Sequence, residues 1–299
     1  MLFAISLAVV VGIAISCQSP TNGSLGLAVG TIQASYTNFA VGLIICIIAV
    51  AITGKGDISL ALQAPPWQLI GGVYGVVILT ATVISTPRLG VTLTMTMLML
   101  GQLVGGMVTD QFGLAGSAVT PVTPLRLVGA AVAALGIWCV FRGTGTGKLP
   151  SKKQAIYLLL PFFGAAIASL QPSTNATLGA SIGTIEASCV NFIGGTLILL
   201  VLVLITGKGR FKPYTGVKPW QFTGGCYGAF GVLCMIIGSP LLGIGLWNVC
   251  TMLGQLAGGM VVDALGLFQM KKRPINKWRA AGAGFMFCGI VIITASKML

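Results

Sequence analysis

Apolar runs of about 20 residues follow one another along the chain, each interrupted by a short segment rich in glycine, proline, lysine or polar residues. Crossing a hydrocarbon core of about 30 Å takes roughly 20 helical residues, so the pattern predicts membrane-spanning helices. They fall near 2–25, 31–53, 67–86, 88–111 and 125–142, then near 154–178, 184–206, 219–239, 241–264 and 279–297. The segment between the two sets, GTGTGKLPSKK, combines helix breakers with lysine and reads as a linker.

The second set repeats the first. QSPTNGSLGLAVGTIQASYTNF begins at Gln18 and QPSTNATLGASIGTIEASCVNF at Gln171, an offset of 153 residues that holds without a gap. GQLVGGMVTD, from Gly101 to Asp110, returns as GQLAGGMVVD, from Gly254 to Asp263, and Arg126 returns as Arg279. Chance likeness between apolar segments would not preserve polar positions over a whole module. The chain therefore reads as a duplicated, fused unit: a first five-helix repeat at 1–142, a linker at 143–153 and a second repeat at 154–299.

Five spans is an odd number, so the second repeat enters the membrane from the opposite side. Charge supports this. Only Lys55, Arg126 and Lys297 of the 17 basic residues fall on the side of the N-terminus, and the other 14 fall opposite. Lysine and arginine mark the cytoplasmic side, which puts the linker inside and both termini outside. The expected fold is an all-α integral membrane protein with ten transmembrane helices arranged as two inverted five-helix repeats. Such a repeat can exchange the conformations of its halves and expose a midplane site to each side in turn. The alternative is a substrate-binding or regulatory membrane subunit that moves nothing itself.

Composition narrows the field further. The chain has 299 residues, 56% hydrophobic and 7% charged, with a mean hydropathy of +0.99. It has no histidine, no CxxC among its 8 cysteines and no phosphate-binding GxxxxGK[ST] loop. No cofactor, metal site or enzymatic activity is expected. The net charge of +13 lies between spans and signals topology before nucleic acid.

Polar groups at membrane depth need partners or a watery cavity. The candidate substrate-binding residues are Gln18, Asn22, Gln33 and Asn38 with their counterparts Gln171, Asn175, Glu186 and Asn191, and Trp247 as an aromatic wall. Helix–helix hydrogen bonding is the competing role for the amides, and an interfacial-belt or packing role for Trp247. Glu186 is the one acidic residue inside an expected span without a basic neighbour in sequence. It is the candidate for binding a proton or a cationic group. Asp110 with Arg126 and Asp263 with Arg279 read as two symmetric structural staples. The recurring small-xxx-small glycines, such as Gly101/Gly105 and Gly254/Gly258, read as close-packing sites.

LQPSTNATLGASIG, NFIGGTLILL, GQLAGGMVVDALGLF and RAAGAGFMFCGIV together resemble the YdcZ-type family of the drug/metabolite transporter superfamily, twice over nearly the whole chain. That resemblance implies a multi-pass protein of the bacterial cytoplasmic (inner) membrane. The resemblance implies a ten-helix, inverted-repeat transporter and supplies no ligand; with the polar and acidic residues above, the chain reads as a secondary transporter for a small polar metabolite or organic cation, with protons as a candidate coupling ion. The expected partners are that solute and membrane lipids, with no nucleic acid. The chain would act as a monomer of two fused halves or as a homodimer.

Overall fold

The computed structural model describes residues 1–117, 119–143, 152–207, 211–242 and 244–296. They form eleven α-helices linked by short 3-10 turns, with no strand among the described residues. Eight described stretches are long and apolar enough to cross a membrane, which fits a membrane protein. Residues 144–151 of the expected linker, with Lys148, lie outside the described residues, as do Lys208, Arg210 and Lys297.

Helix limits recur at the same offset as the sequence. In the first half α1 is Leu2–Val29, α2 Thr31–Thr53, α3 Gly71–Leu89, α4 Val91–Phe112 and α5 Pro124–Arg142. In the second half α8 is Thr184–Thr206, α9 Gly224–Leu242, α10 Ile244–Leu265 and α11 Lys277–Ala295. Equivalent caps start the last helix of each half, where Thr123 and Asn276 accept the backbone N–H of Arg126 and Arg279. Single glycines in positive φ join the first and second spans, Gly30 at 94° and Gly183 at 102°, where other residues would be strained.

The exception is the counterpart of α1. It is broken into α6 (Lys152–Ala168) and α7 (Gln171–Ile182), where one continuous span is expected. Pro172 sits in the first turn of α7. Its ring clashes with a helical carbonyl four residues back, at Ala168, which is where α6 stops. In the first half the proline is one position later in the module, at Pro20, and α1 runs through it.

Packing is reciprocal between the halves. Gly42 of α2 lies against Phe192 of α8, and Gly195 of α8 lies against Phe39 of α2. That order of contacts makes the two equivalent helices antiparallel. The same holds for α5 and α11, where Gly129 meets Gly289 and Gly136 meets Gly282. A Cβ on Gly136 would come within 2.7 Å of the Gly282 carbonyl oxygen, so only glycine allows this approach. Gly101 and Gly105 seat α4 on Phe162 and Ala166 of α6, while Gly254 and Gly258 seat α10 on Val9 and Ile13 of α1. A core of Val91, Met95, Met99, Leu256, Met286 and Ile290 fills the space between α4, α10 and α11.

Both staples form, unequally. Arg279 meets Asp263 at 2.7 Å, and Arg126 meets Asp110 at 3.6 Å. The carboxylate of Asp263, at the end of α10, also accepts the first backbone N–H groups of α4, from Val91 at 2.8 Å and Thr92 at 3.0 Å. The end of its own helix disfavours an anion, but the start of α4 supplies the compensating positive dipole.

Candidate functional site

Between the halves lies a cavity of ≈ 290 Å³, at the small end of ligand-binding pockets. Four pairs of equivalent amides line it: Gln18 with Gln171, Asn22 with Asn175, Asn38 with Asn191, and Gln102 with Gln255. Ser19, Thr82 and Ser188 add hydroxyls, while Ile78, Leu79, Met95, Leu98 and the Phe39–Phe192 pair form the apolar wall. The two rings stand 5.5 Å apart, tilted by 58°.

Helix geometry aims these side chains inward. Asn22 lies on α1 and Asn38 on α2, and the Asn22 amide donates to the Asn38 carbonyl oxygen at 2.9 Å. Gln18 donates to the same oxygen at 3.2 Å. In the other half Asn191 donates to Asn175 at 2.6 Å, and Gln171 donates to the Gly71 carbonyl at 3.0 Å. The Asn pairs rest on the glycines that begin α3 and α9. A Cβ at Gly71 would meet Asn191 Oδ1 at 2.0 Å, and one at Gly224 would meet Asn22 Oδ1 at 1.9 Å. Among the described residues, buried Asn22 Oδ1 and Asn191 Oδ1 have no hydrogen-bond partner.

Six of the nine residues singled out in sequence thus line one cavity. Three do not. Gln33 donates to the Lys212 carbonyl at 2.8 Å and accepts the Lys212 N–H at 2.8 Å. Its counterpart Glu186 accepts the N–H of Gly56 at 2.7 Å. Each is a clasp on the loop that follows the second helix of the other half, so Glu186 acts on backbone outside the cavity lining. Trp247 is 2% exposed, packed among Ala8, Val11, Cys234 and Cys250, and forms no cavity wall. Gln102 and Gln255 were missed by sequence reasoning. Their signal was present, an amide held at equivalent positions of the repeated GQL motif inside an apolar helix.

The seams that flank the cavity differ. Beside Asn22, α1 closes on α3: Ser19 Oγ and Thr86 Oγ1 are 2.5 Å apart, Gly23 abuts Pro87, and Gly26 abuts Val83. Around this seam Gln221 donates to Ser24 at 2.8 Å, Thr37 and Tyr214 share a hydrogen bond at 2.8 Å, and Arg273 donates to the carbonyls of Leu89 and Arg88. Burial pushes the Arg273 guanidinium down from its ordinary value, against the attraction of Asp263 and with the repulsion of Arg279. In the second half, α7 and α9 have no comparable packing among the described residues. Among the described residues, Gly179, the counterpart of Gly26, meets Thr184 and Ala187 just after its own helix.

These features define a polytopic helical membrane protein with an internal polar cavity between two copies of one module. Within that class the chain belongs to the YdcZ family, whose description reads "Putative inner membrane exporter, YdcZ"; its sequence pattern matches residues 3–139 and again residues 156–292. Membership implies a membrane transporter of the inner membrane rather than an enzyme. No curated protein matches the chain. Fifteen chains of solved structures do. One, described as "Crystal structure of protein", superposes with a TM-score of 0.59 over 97% of each chain at 16% identity, a likeness of fold alone.

Proposed function

We propose that the chain is a secondary transporter that carries a small polar solute by alternating access. Its halves, 1–142 and 154–299, act as inverted five-span repeats around the amide cavity. The observation that carries this reading is the pair of unequal seams. Equivalent helices of an antiparallel pair of modules flank one polar cavity, closed by α1 on α3 and, among the described residues, without the matching contact between α7 and α9. Exchanging the two arrangements would present the same amides to the other side. The closed seam lies on the face bearing Arg88, Lys212, Lys218 and the basic 271–279 segment, which the positive-inside rule assigns to the cytoplasm. This conformer is then outward-facing, with both termini outside. Export is the direction named in the family description. Binding without flux would instead make the chain a receptor or regulatory subunit.

Reconstitution tests this. Liposomes holding the purified chain and loaded with a mixture of metabolites should release a subset of them faster than protein-free liposomes, measured by mass spectrometry of the external medium. Release no faster than from protein-free liposomes would sink the transport reading.

A further inference from the structure

Among the described residues, the cavity lining contains no ionisable side chain. That absence is informative in a chain with only four carboxylates and 17 basic residues. Each carboxylate is engaged elsewhere. Glu186 holds Gly56, Asp263 holds α4 and Arg279, Asp110 sits 3.6 Å from Arg126, and Asp57 accepts from Ser59 in a loop. An ion entering this space would shed its water and meet no opposite charge, and burying an unpaired charge is costly. The eight amides offer donors and acceptors in equal measure, which suits neutral groups that both give and take hydrogen bonds. Asn22 Oδ1 and Asn191 Oδ1 are buried, unpartnered acceptors, one from each half, packed against Gly224 and Gly71. The Phe39–Phe192 pair gives the same solute an apolar face to lie on.

We propose, resting on the transport reading above, that the solute is compact and uncharged, carries several hydroxyl or amide donors and one apolar face, and that ions and zwitterions are refused. Organic cations, admitted by the sequence alone, fall outside this class.

The test uses four defined metabolite sets on the purified full chain. One is neutral (sugars, polyols, nucleosides and primary amides), and the others are cationic amines, organic and phosphorylated anions, and zwitterionic amino acids. Thermal stability reads binding, and release from loaded liposomes reads transport. The neutral set should raise the melting temperature and supply the released solutes, while the charged sets do neither. A shift from a charged set, or none from the neutral set, overturns the proposal. Charged solutes released at a normal rate would overturn it while leaving transport intact. A neutral set that binds but is never released would sink transport and leave the ligand class standing. As a second arm, Gln102→Glu places a carboxylate in the lining. It should weaken the neutral set's effect at least about tenfold in affinity and admit the cationic set; unchanged selectivity in this folded variant would contradict the proposal.

Discussion

α1 and the α6–α7 pair hold equivalent places in the repeated sequence, yet one is a continuous helix sealed on α3 and the other is broken and, among the described residues, makes no comparable contact with α9. The fold does not separate them, because helix limits and reciprocal glycine contacts match across the halves. A few side chains do. Buried Gly23, which fits against Pro87, corresponds to exposed Ala176, and the proline that interrupts the module moves from Pro20 to Pro172. Arg273, which ties the 266–276 loop to the end of α3, corresponds to Thr120, which has no guanidinium to make that reach. The difference teaches that one backbone plan can hold two arrangements, and that the sealed one is held by residues the other copy lacks.

The largest effect should come from the charged anchors. Arg279→Met leaves Asp263, 1% exposed, without its ion-pair partner, whereas Arg126→Met leaves Asp110, 16% exposed, able to take up water. Removing one partner of a buried pair costs about 3–5 kcal/mol. The melting temperature should fall much further for Arg279→Met. Equal losses would mean the two anchors are equivalent after all.

Next come the seam glycines. A Cβ at Gly26 would stand 2.5 Å from Val83 Cγ1, while among the described residues the nearest atom to one at Gly179 is Thr184 Cα at 3.3 Å. Overpacking costs about 1–3 kcal/mol, so Gly26→Ala should destabilise the chain and expose the seam to thiol reagents at introduced cysteines. Gly179→Ala should melt near wild type. The reverse order would break the assignment of the closed seam.

The clasps should give less. Gln33 already performs with an amide what Glu186 does with a carboxylate, so Glu186→Gln should keep stability and transport, and Glu186→Ala should lose about 1 kcal/mol. Marked loss of pH-dependent transport in Glu186→Gln would return this residue to the proton-binding role expected from sequence.

The smallest effect belongs to Asp57, fully exposed in the 54–70 loop. The Ser59 hydroxyl and backbone N–H hold its carboxyl below its usual range. A lowered folded value favours folding above the unfolded value and loses that contribution as pH falls through the folded one. Asp57→Asn should therefore differ from wild type only marginally, with the difference starting to shrink as pH falls below about 4 and gone below the folded value. A large, pH-independent change would contradict this.

Much of the architecture was legible because the repeat carried polar residues as well as apolar ones. Thr31–Thr53 and Thr184–Thr206 emerge with the limits read from hydropathy. The break at Pro172 was not legible, since Pro20 one position away in the module leaves α1 whole; the outcome depends on tertiary support around each proline. Six amides were found because a polar group in a span needs a cavity or a partner. Gln33 and Glu186 were placed with them because they share those spans. Both occupy the third position of their helix, however, and at that level a side chain reaches loop backbone instead of the cavity. Trp247 takes the packing role of its two: an aromatic side chain is as suited to core as to cavity wall, and only packing decides.

The central claim is that one cavity is served by two seams that close in turn. Its most direct test is a disulfide across the closed seam, Ser19→Cys with Thr86→Cys, in a background whose native cysteines are replaced. The native hydroxyls lie 2.5 Å apart, close enough for a bridge to form with little movement. With the bridge formed, as verified by mass, bound solute should still raise the melting temperature while release from liposomes stops, and reduction should restore release. Undiminished release with the seam locked would contradict the account.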